Sequence, residues 1–184
     1  MEKRMLAQRA KSGDESAFEE LLILHTEQLY RTAYLYVGNR EDALDIVQET
    51  SYKAYVGLKK LKEVEYFSTW LIRILIRTSY ECIRKKKRMP FVEEESVQRW
   101  NEADENLINS ELLQVVQQLR KKYRDVILLH YFQELTVREV SQVLVIPEGT
   151  VKTYLYRGRK QLKKILKGDD YDEYRTNQKN EARN

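Results

Sequence analysis

A single cysteine, Cys82, in 184 residues excludes an internal disulfide framework and a cysteine-based zinc cluster. With 6 glycines and 2 prolines the chain also lacks the turn punctuation that a β-rich fold needs, so an all-α protein is expected. Its two histidines, His25 and His130, lie far apart, each on an apolar helical stretch, which suits packing or surface positions rather than metal ligation. There is no Gly-rich phosphate loop and no cluster of carboxylates around a histidine, so neither an enzyme nor a bound cofactor or metal is expected. The amino terminus, MEKRMLAQRAKSGDE, has no apolar core for a signal peptide, and no window gives ~20 uninterrupted apolar residues. These absences predict a cytoplasmic protein with no direct membrane insertion.

What is present is charge, unevenly distributed. The net charge is only +4, yet five consecutive basic residues occupy Arg84 to Arg88, while Glu93 to Glu111 holds seven acidic residues against one basic. From Thr150 to Lys167 there are seven basic residues (Lys152, Arg157, Arg159, Lys160, Lys163, Lys164, Lys167) and no acidic one. Basic, acidic and basic blocks thus follow in order, and the last has the charge pattern of a phosphate-binding helix. Charge alone fits a solvated amphipathic helix equally well.

The stretch from Leu135 to Leu162 decides between these readings. Thr136 and Glu139 have the spacing of a capping box that opens a helix, with Val140 and Leu144 on one face. Val145-Ile146-Pro147 ends it, because proline lacks an amide donor. A second helix restarts near Glu148, with Val151 and Leu155 turned back toward the first and Lys152, Thr153, Tyr156, Arg157 and Lys160 facing outward. Two helices, a tight turn and a one-sided basic face make a helix-turn-helix, and the outward face is the one that could enter a major groove.

Upstream, residues 2 to 11 predict a short helix, and Ser12 with Glu15 a capping box for a long helix from Asp14 to about Val37. Its inward stripe is Phe18, Leu21, Leu22, His25, Leu29 and Ala33. Gly38-Asn39 ends it, and EDALDIVQETSYKAYVGL begins another helix with acids in its first turn. Ala43, Ile46, Val47, Ala54 and Leu58 supply the core side there, while Asp45, Gln48, Glu49 and Tyr52 project together from the other. FSTWLIRILIRTSYECIRKKKR then gives a helix whose apolar side is Phe67, Trp70, Leu71, Ile74 and Cys82, with Arg73, Arg77 and Arg84, joined by Tyr80, on a second face. Aromatic rings beside cations suit unpaired bases, since stacking contributes ~1–3 kcal/mol per base; a core role for the rings fits the same pattern. Residues 89 to 108, acidic and without sustained periodicity, read as a linker. A helix from Asn109, an apolar one over YRDVILLHYFQ, and a polar tail after Lys167 complete the chain.

Three segments in this order, EDALDIVQETSYKAY, FSTWLIRIL with RKKKR, and YRDVILLHYFQELTVREVSQVLVIPEGTVKTYLYRGRKQL, resemble the extracytoplasmic-function group of bacterial sigma factors, the smallest members of the sigma-70 family. The resemblance covers about residues 14 to 167 and implies two small helical domains joined by an acidic linker, the second a helix-turn-helix, winged-helix-like DNA-binding domain. Sigma region 2 would span 1–88, the linker 89–108, region 4 109–167, and a disordered tail 168–184. By resemblance, Asp45, Gln48, Glu49 and Tyr52 contact the clamp helices of the largest subunit of core RNA polymerase. Phe67, Trp70, Arg73, Arg77, Tyr80 and Arg84, with the loop Lys60 to Tyr66 before them, would recognise and open the minus-10 element. Lys152, Thr153, Tyr156, Arg157 and Lys160 would read the minus-35 element.

The resemblance further implies a stress-response transcription factor held silent by a cognate anti-sigma factor, often membrane-anchored. Three positions depart from the family: Arg77 stands where Asn is usual, Arg120 where Pro is usual, and Val145 where Gly is frequent. The competing reading is a freestanding helix-turn-helix regulator whose N-terminal half dimerises or binds a ligand. The Asp45/Gln48 patch and the aromatic-basic helix separate the two, because a reader of duplex alone requires neither.

Overall fold

The structure, a computed structural model, describes residues 2–88 and 110–166. Among them there is no strand; the helices are α1 (Glu2–Lys11), α2 (Glu15–Val37), α3 (Arg40–Gly57), α4 (Phe67–Arg88), α5 (Ser110–Gln117), α6 (Lys121–Ile127), α7 (Val137–Leu144) and α8 (Glu148–Leu166). They fall into two compact units, the first holding α1 to α4, the second holding α5, α6, the start of α7 and α8. The expected linker and polar tail lie outside the described residues.

In the first unit α2 is the central element, packing on α1, α3 and α4. Phe18, Leu21, His25, Leu29 and Ala33 are buried along its expected stripe, and Leu22 is half-buried. Buried His25 is satisfied at both ring nitrogens, with Nδ1 2.7 Å from the Leu21 carbonyl and Nε2 2.9 Å from Ser68 Oγ on α4. A carbonyl can only accept, so Nδ1 carries the proton; burial lowers the pKa, and the neutral ring accepts the Ser68 hydroxyl at Nε2. It packs edge-on against Phe67, centroids 5.6 Å apart, so this histidine is part of the core.

The helix ends follow capping chemistry, with one correction. Ser12 does not cap α2: its hydroxyl donates back to the Gln8 carbonyl at 3.1 Å. Asp14 is the cap, its Oδ1 accepting the Ala17 amide at 3.0 Å. Hydrogen bonds from Ser16, Ala17 and Arg9 hold the Asp14 carboxyl down at about 2. Gly38 closes the other end at φ 76, its N–H donating to the Tyr34 carbonyl at 2.8 Å. Asn39 caps α3 immediately after, accepting the Asp42 amide at 2.9 Å. Between α3 and α4 the expected lysine-rich link forms two 3-10 turns, Leu58–Lys60 and Val64–Tyr66.

In the second unit α8 packs on α6 and α5. The contact is close: a Cβ at Gly158 would lie 3.0 Å from Ile127 Cγ1 and 3.5 Å from Tyr123 Cβ, both on α6 and both residues buried. The stretch expected as one apolar helix is α6 followed by a π turn, Leu128–Phe132, closed by the Gln133 N–H on the Leu128 carbonyl at 3.1 Å. Val145, between α7 and α8, sits at φ 56 and is 73% exposed, a left-handed conformation that β-branched residues rarely adopt.

These two positions predict opposite responses. Overpacking against Ile127 costs ~1–3 kcal/mol, while alanine gains only ~1 kcal/mol of helix propensity over glycine, so Gly158→Ala should destabilise the second unit. Val145→Gly should stabilise the turn between α7 and α8 by up to about 1 kcal/mol, since relief of ~1–2 kcal/mol of left-handed strain exceeds the added entropy cost. Hydrogen exchange of the α8 amides measures both, protection falling in the first variant and rising in the second.

Candidate nucleic-acid interface

The helix-turn-helix has the local chemistry its sequence requires. The Thr136 N–H donates to Glu139 Oε2 at 2.8 Å and the Glu139 N–H to Thr136 Oγ1 at 3.2 Å, a closed capping box at the start of α7. After Pro147, whose carbonyl accepts from the amides of Thr150 and Val151 at 2.9 and 3.1 Å, α8 runs with Val151, Leu155 and Gly158 buried. That burial fixes its rotation. Lys152, Thr153, Tyr156, Arg157 and Lys160 are all exposed on the opposite side, as expected. With six basic residues and one acid, Glu148, in its length, α8 offers a strongly positive face.

In the first unit, α4 carries its expected arginine stripe: Arg73, Arg77 and Arg84 are exposed. The aromatics are less available. Tyr80 is half-buried, edge-on to Tyr36 with centroids 5.5 Å apart, and Trp70 is half-buried against Phe67 and Gly57. Phe67 corrects the minus-10 assignment made by resemblance and keeps the core side that its periodicity gives it, since at 3% exposure its ring packs beside His25 and presents nothing to a base. The outward aromatic is its neighbour Tyr66, 40% exposed at the end of the 3-10 turn. Tyr66 closes the loop Lys60 to Tyr66 that the resemblance also sets against the minus-10 element.

Asp45, Gln48, Glu49 and Tyr52 do project together from α3. They line one wall of a groove of about 680 Å³ whose other wall is Thr78, Glu81, Cys82 and Lys85 of α4. Tyr52 is 65% exposed at its edge. Lys53 ties the walls together, with Nζ 2.8 Å from Glu81 and 3.3 Å from Glu49. Burial works against its charge, but these two carboxylates prevail and raise its pKa. Burial, with Asp42 nearby, pushes the Cys82 thiol up, which makes it a poor nucleophile.

Sequence comparison now identifies the chain. Residues 21–89 match the Sigma-70 region 2 family and residues 109–162 the Sigma-70, region 4 family. The ECF RNA polymerase sigma factor SigW of Bacillus subtilis (strain 168) is 34% identical over 175 residues, covering 86% of this chain and 94% of that protein. The chain belongs to the extracytoplasmic-function group of the sigma-70 family. Two solved sigma folds are similar to this factor. CnrH, determined in complex with the cytosolic domain of CnrY, matches with a TM-score of 0.75 at 24% identity, covering 92% of this chain and 100% of that one. The sigma factor RpoE, determined with the anti-sigma factor NepR from Bartonella quintana, matches with a TM-score of 0.66 at 23% identity, over 83% and 98%. Among the described residues of this sigma factor, no helix is long and apolar enough to cross a membrane.

One cation of the Arg84–Arg88 run has a structural partner that the sequence did not reveal. Lys86 Nζ lies 2.7 Å from Asp42 Oδ2, a carboxylate only 12% exposed and held also by Asn39 Nδ2 at 2.6 Å. It therefore ties the end of α4 to the start of α3. Lys86→Ala should loosen that junction by up to about 1 kcal/mol, lowering the exchange protection of the first α3 amides. Arg84→Ala, whose Nε donates within α4 to the Tyr80 carbonyl, should leave them unchanged. Equal protection in both variants would show that the Asp42 bridge contributes nothing.

Proposed function

We propose that this sigma factor binds core RNA polymerase through the α3 patch and directs it to promoters by reading two elements, one with each helical unit. Residues 1–88 act as region 2 and 109–167 as region 4, joined by the linker 89–108 and followed by the tail 168–184. The observation that carries the reading is the outward set on α8, where all five expected reading residues share one basic face opposite a buried stripe. Lys152, Thr153, Tyr156, Arg157 and Lys160 read the minus-35 element in the major groove. Arg73, Arg77 and Arg84 hold the opened minus-10 strand, with the half-exposed rings of Trp70 and Tyr80 and with Tyr66 in the place expected of Phe67. Arginine at 77 makes the minus-10 base preference of this factor its own. Asp45, Gln48, Glu49 and Tyr52 meet the clamp helices of the largest polymerase subunit. The factor directs the chemistry of the polymerase and supplies none itself.

An anti-sigma factor is the second partner in this reading. The RpoE fold was solved with the anti-sigma factor NepR and the CnrH fold with the cytosolic domain of CnrY, which supports a cognate, membrane-anchored inhibitor for this chain.

Run-off transcription by purified core polymerase on genomic fragments, with and without the chain, tests the whole. Specific transcripts should appear only with it; binding to duplex without any core-dependent transcripts would favour a freestanding regulator. Asp45→Lys should abolish co-purification with core polymerase while leaving the helical content unchanged, because Asp45 is exposed. Arg157→Ala should cost ~1–3 kcal/mol and relax preference at one minus-35 position, whereas Lys163→Ala should weaken binding evenly across sequences. An even loss for Arg157→Ala would rule out base reading by that side chain.

A further inference from the structure

Beside the basic face of α8, and outside the five residues assigned to base reading, stands a second polar pair. Arg159 Nη1 on α8 lies 3.5 Å from the hydroxyl of Tyr131, and both residues are exposed, Tyr131 at 49%. Tyr131 comes from the π turn, where the widened Gln133 to Leu128 hydrogen bond inserts an extra residue and re-aims the chain; such turns recur at functional positions. Its ring stands edge-on against His130, centroids 4.9 Å apart, and His130 is anchored by Nδ1–H donation to the Leu135 carbonyl at 2.7 Å. An exposed tyrosine is thus held in place beside a cation.

Rotation about α8 says what they meet. At about 100° per residue, Arg159 falls on one flank of the outward set, between the exposed Lys152 and the buried Leu155. A helix seated in a major groove turns its flanks toward the phosphates of the groove walls. Because the arginine donates to the tyrosine oxygen, the hydroxyl hydrogen is left to donate outward, and the 3.5 Å separation leaves the guanidinium further donors. We infer that Tyr131 and Arg159 form a clamp on one backbone phosphate at the rim of the minus-35 duplex, fixing the register in which α8 reads bases. This rests on the DNA reading of α8 and adds to it a contact from outside the helix-turn-helix.

The test is equilibrium binding of the full chain, assembled with core polymerase, to a promoter fragment selected by run-off transcription, measured across a salt series. Arg159→Gln should flatten the slope of log affinity against log salt by about 0.9, the loss of one phosphate neutralised. Tyr131→Phe, which keeps the ring and its packing, should weaken binding about three- to tenfold on every promoter sequence alike without altering the slope, one neutral hydrogen bond being lost. The double variant should lose less than the product of the single losses, as groups in contact do. An unchanged slope in Arg159→Gln, or an unchanged affinity in Tyr131→Phe, overturns the clamp while the effect of Arg157→Ala persists. Should Arg157→Ala also be silent, the DNA reading of α8 itself has failed.

Discussion

Burial of Val151, Leu155 and Gly158 against α6 sets the rotation of α8, and that rotation decides which of its side chains can meet DNA. A helix has only 3.6 residues per turn, so fixing three inward positions leaves no freedom for the others. Gly158 makes the constraint tight, since α8 approaches Ile127 to within the space of a single methyl group. A larger residue would push the helix away or turn it, moving Lys152, Tyr156 and Arg157 together. The outward face is therefore specified by the apolar residues on the opposite side of the helix, and the basic residues contribute charge to a geometry already determined.

The first unit obeys the same constraint under more competition. The α4 helix must bury Leu71, Ile72 and Leu75, line a groove with α3, and expose an arginine stripe, all within 22 residues. Its aromatics are consequently divided, with Phe67 in the core and Trp70 and Tyr80 half in and half out. Charge is divided too: Lys53 and Lys86 tie α3 to α4, leaving the arginines outward. Exposed pairs of this kind contribute little energy one by one. Their value lies in geometry, since they hold the α3 patch and the α4 stripe at fixed spacing on one rigid body.

Much of this was legible in the sequence because periodicity and capping are local rules. The α2 stripe, the Gly38 stop, the Thr136–Glu139 box and the outward set on α8 follow from residues within a turn or two of each other, and the structure has each of them. What failed depended on competition or on irregular backbone. Ser12 and Asp14 both had cap chemistry, and Asp14 prevails because it gathers the Ala17 amide, Ser16 and Arg9 around one carboxylate. Phe67 stands against the minus-10 strand by resemblance alone, whereas its periodicity puts it on the apolar side of α4, where the structure buries it. The π turn at Leu128–Phe132 had no signature in an apolar run that reads as continuous helix, so Tyr131 could not be placed beside Arg159 from the sequence.

The salt sensitivity of so basic a helix bears on why a sigma factor needs two units and a polymerase. If five cations of α8 each neutralise one phosphate, affinity falls by roughly four to five powers of ten for each tenfold rise in salt. A single helix held by so salt-sensitive a term, with a few base contacts worth ~1–3 kcal/mol each, cannot by itself single out a promoter among the competing sites of a genome. Covalent connection changes the arithmetic. Once one unit is seated, the other meets its element at a high effective concentration, and two weak readings multiply into a selective one. Seating the factor on the polymerase removes still more orientational freedom before DNA is met. On that arithmetic neither unit needs to bind tightly alone, and a factor whose α8 did so would occupy minus-35-like sequences without a polymerase to use them.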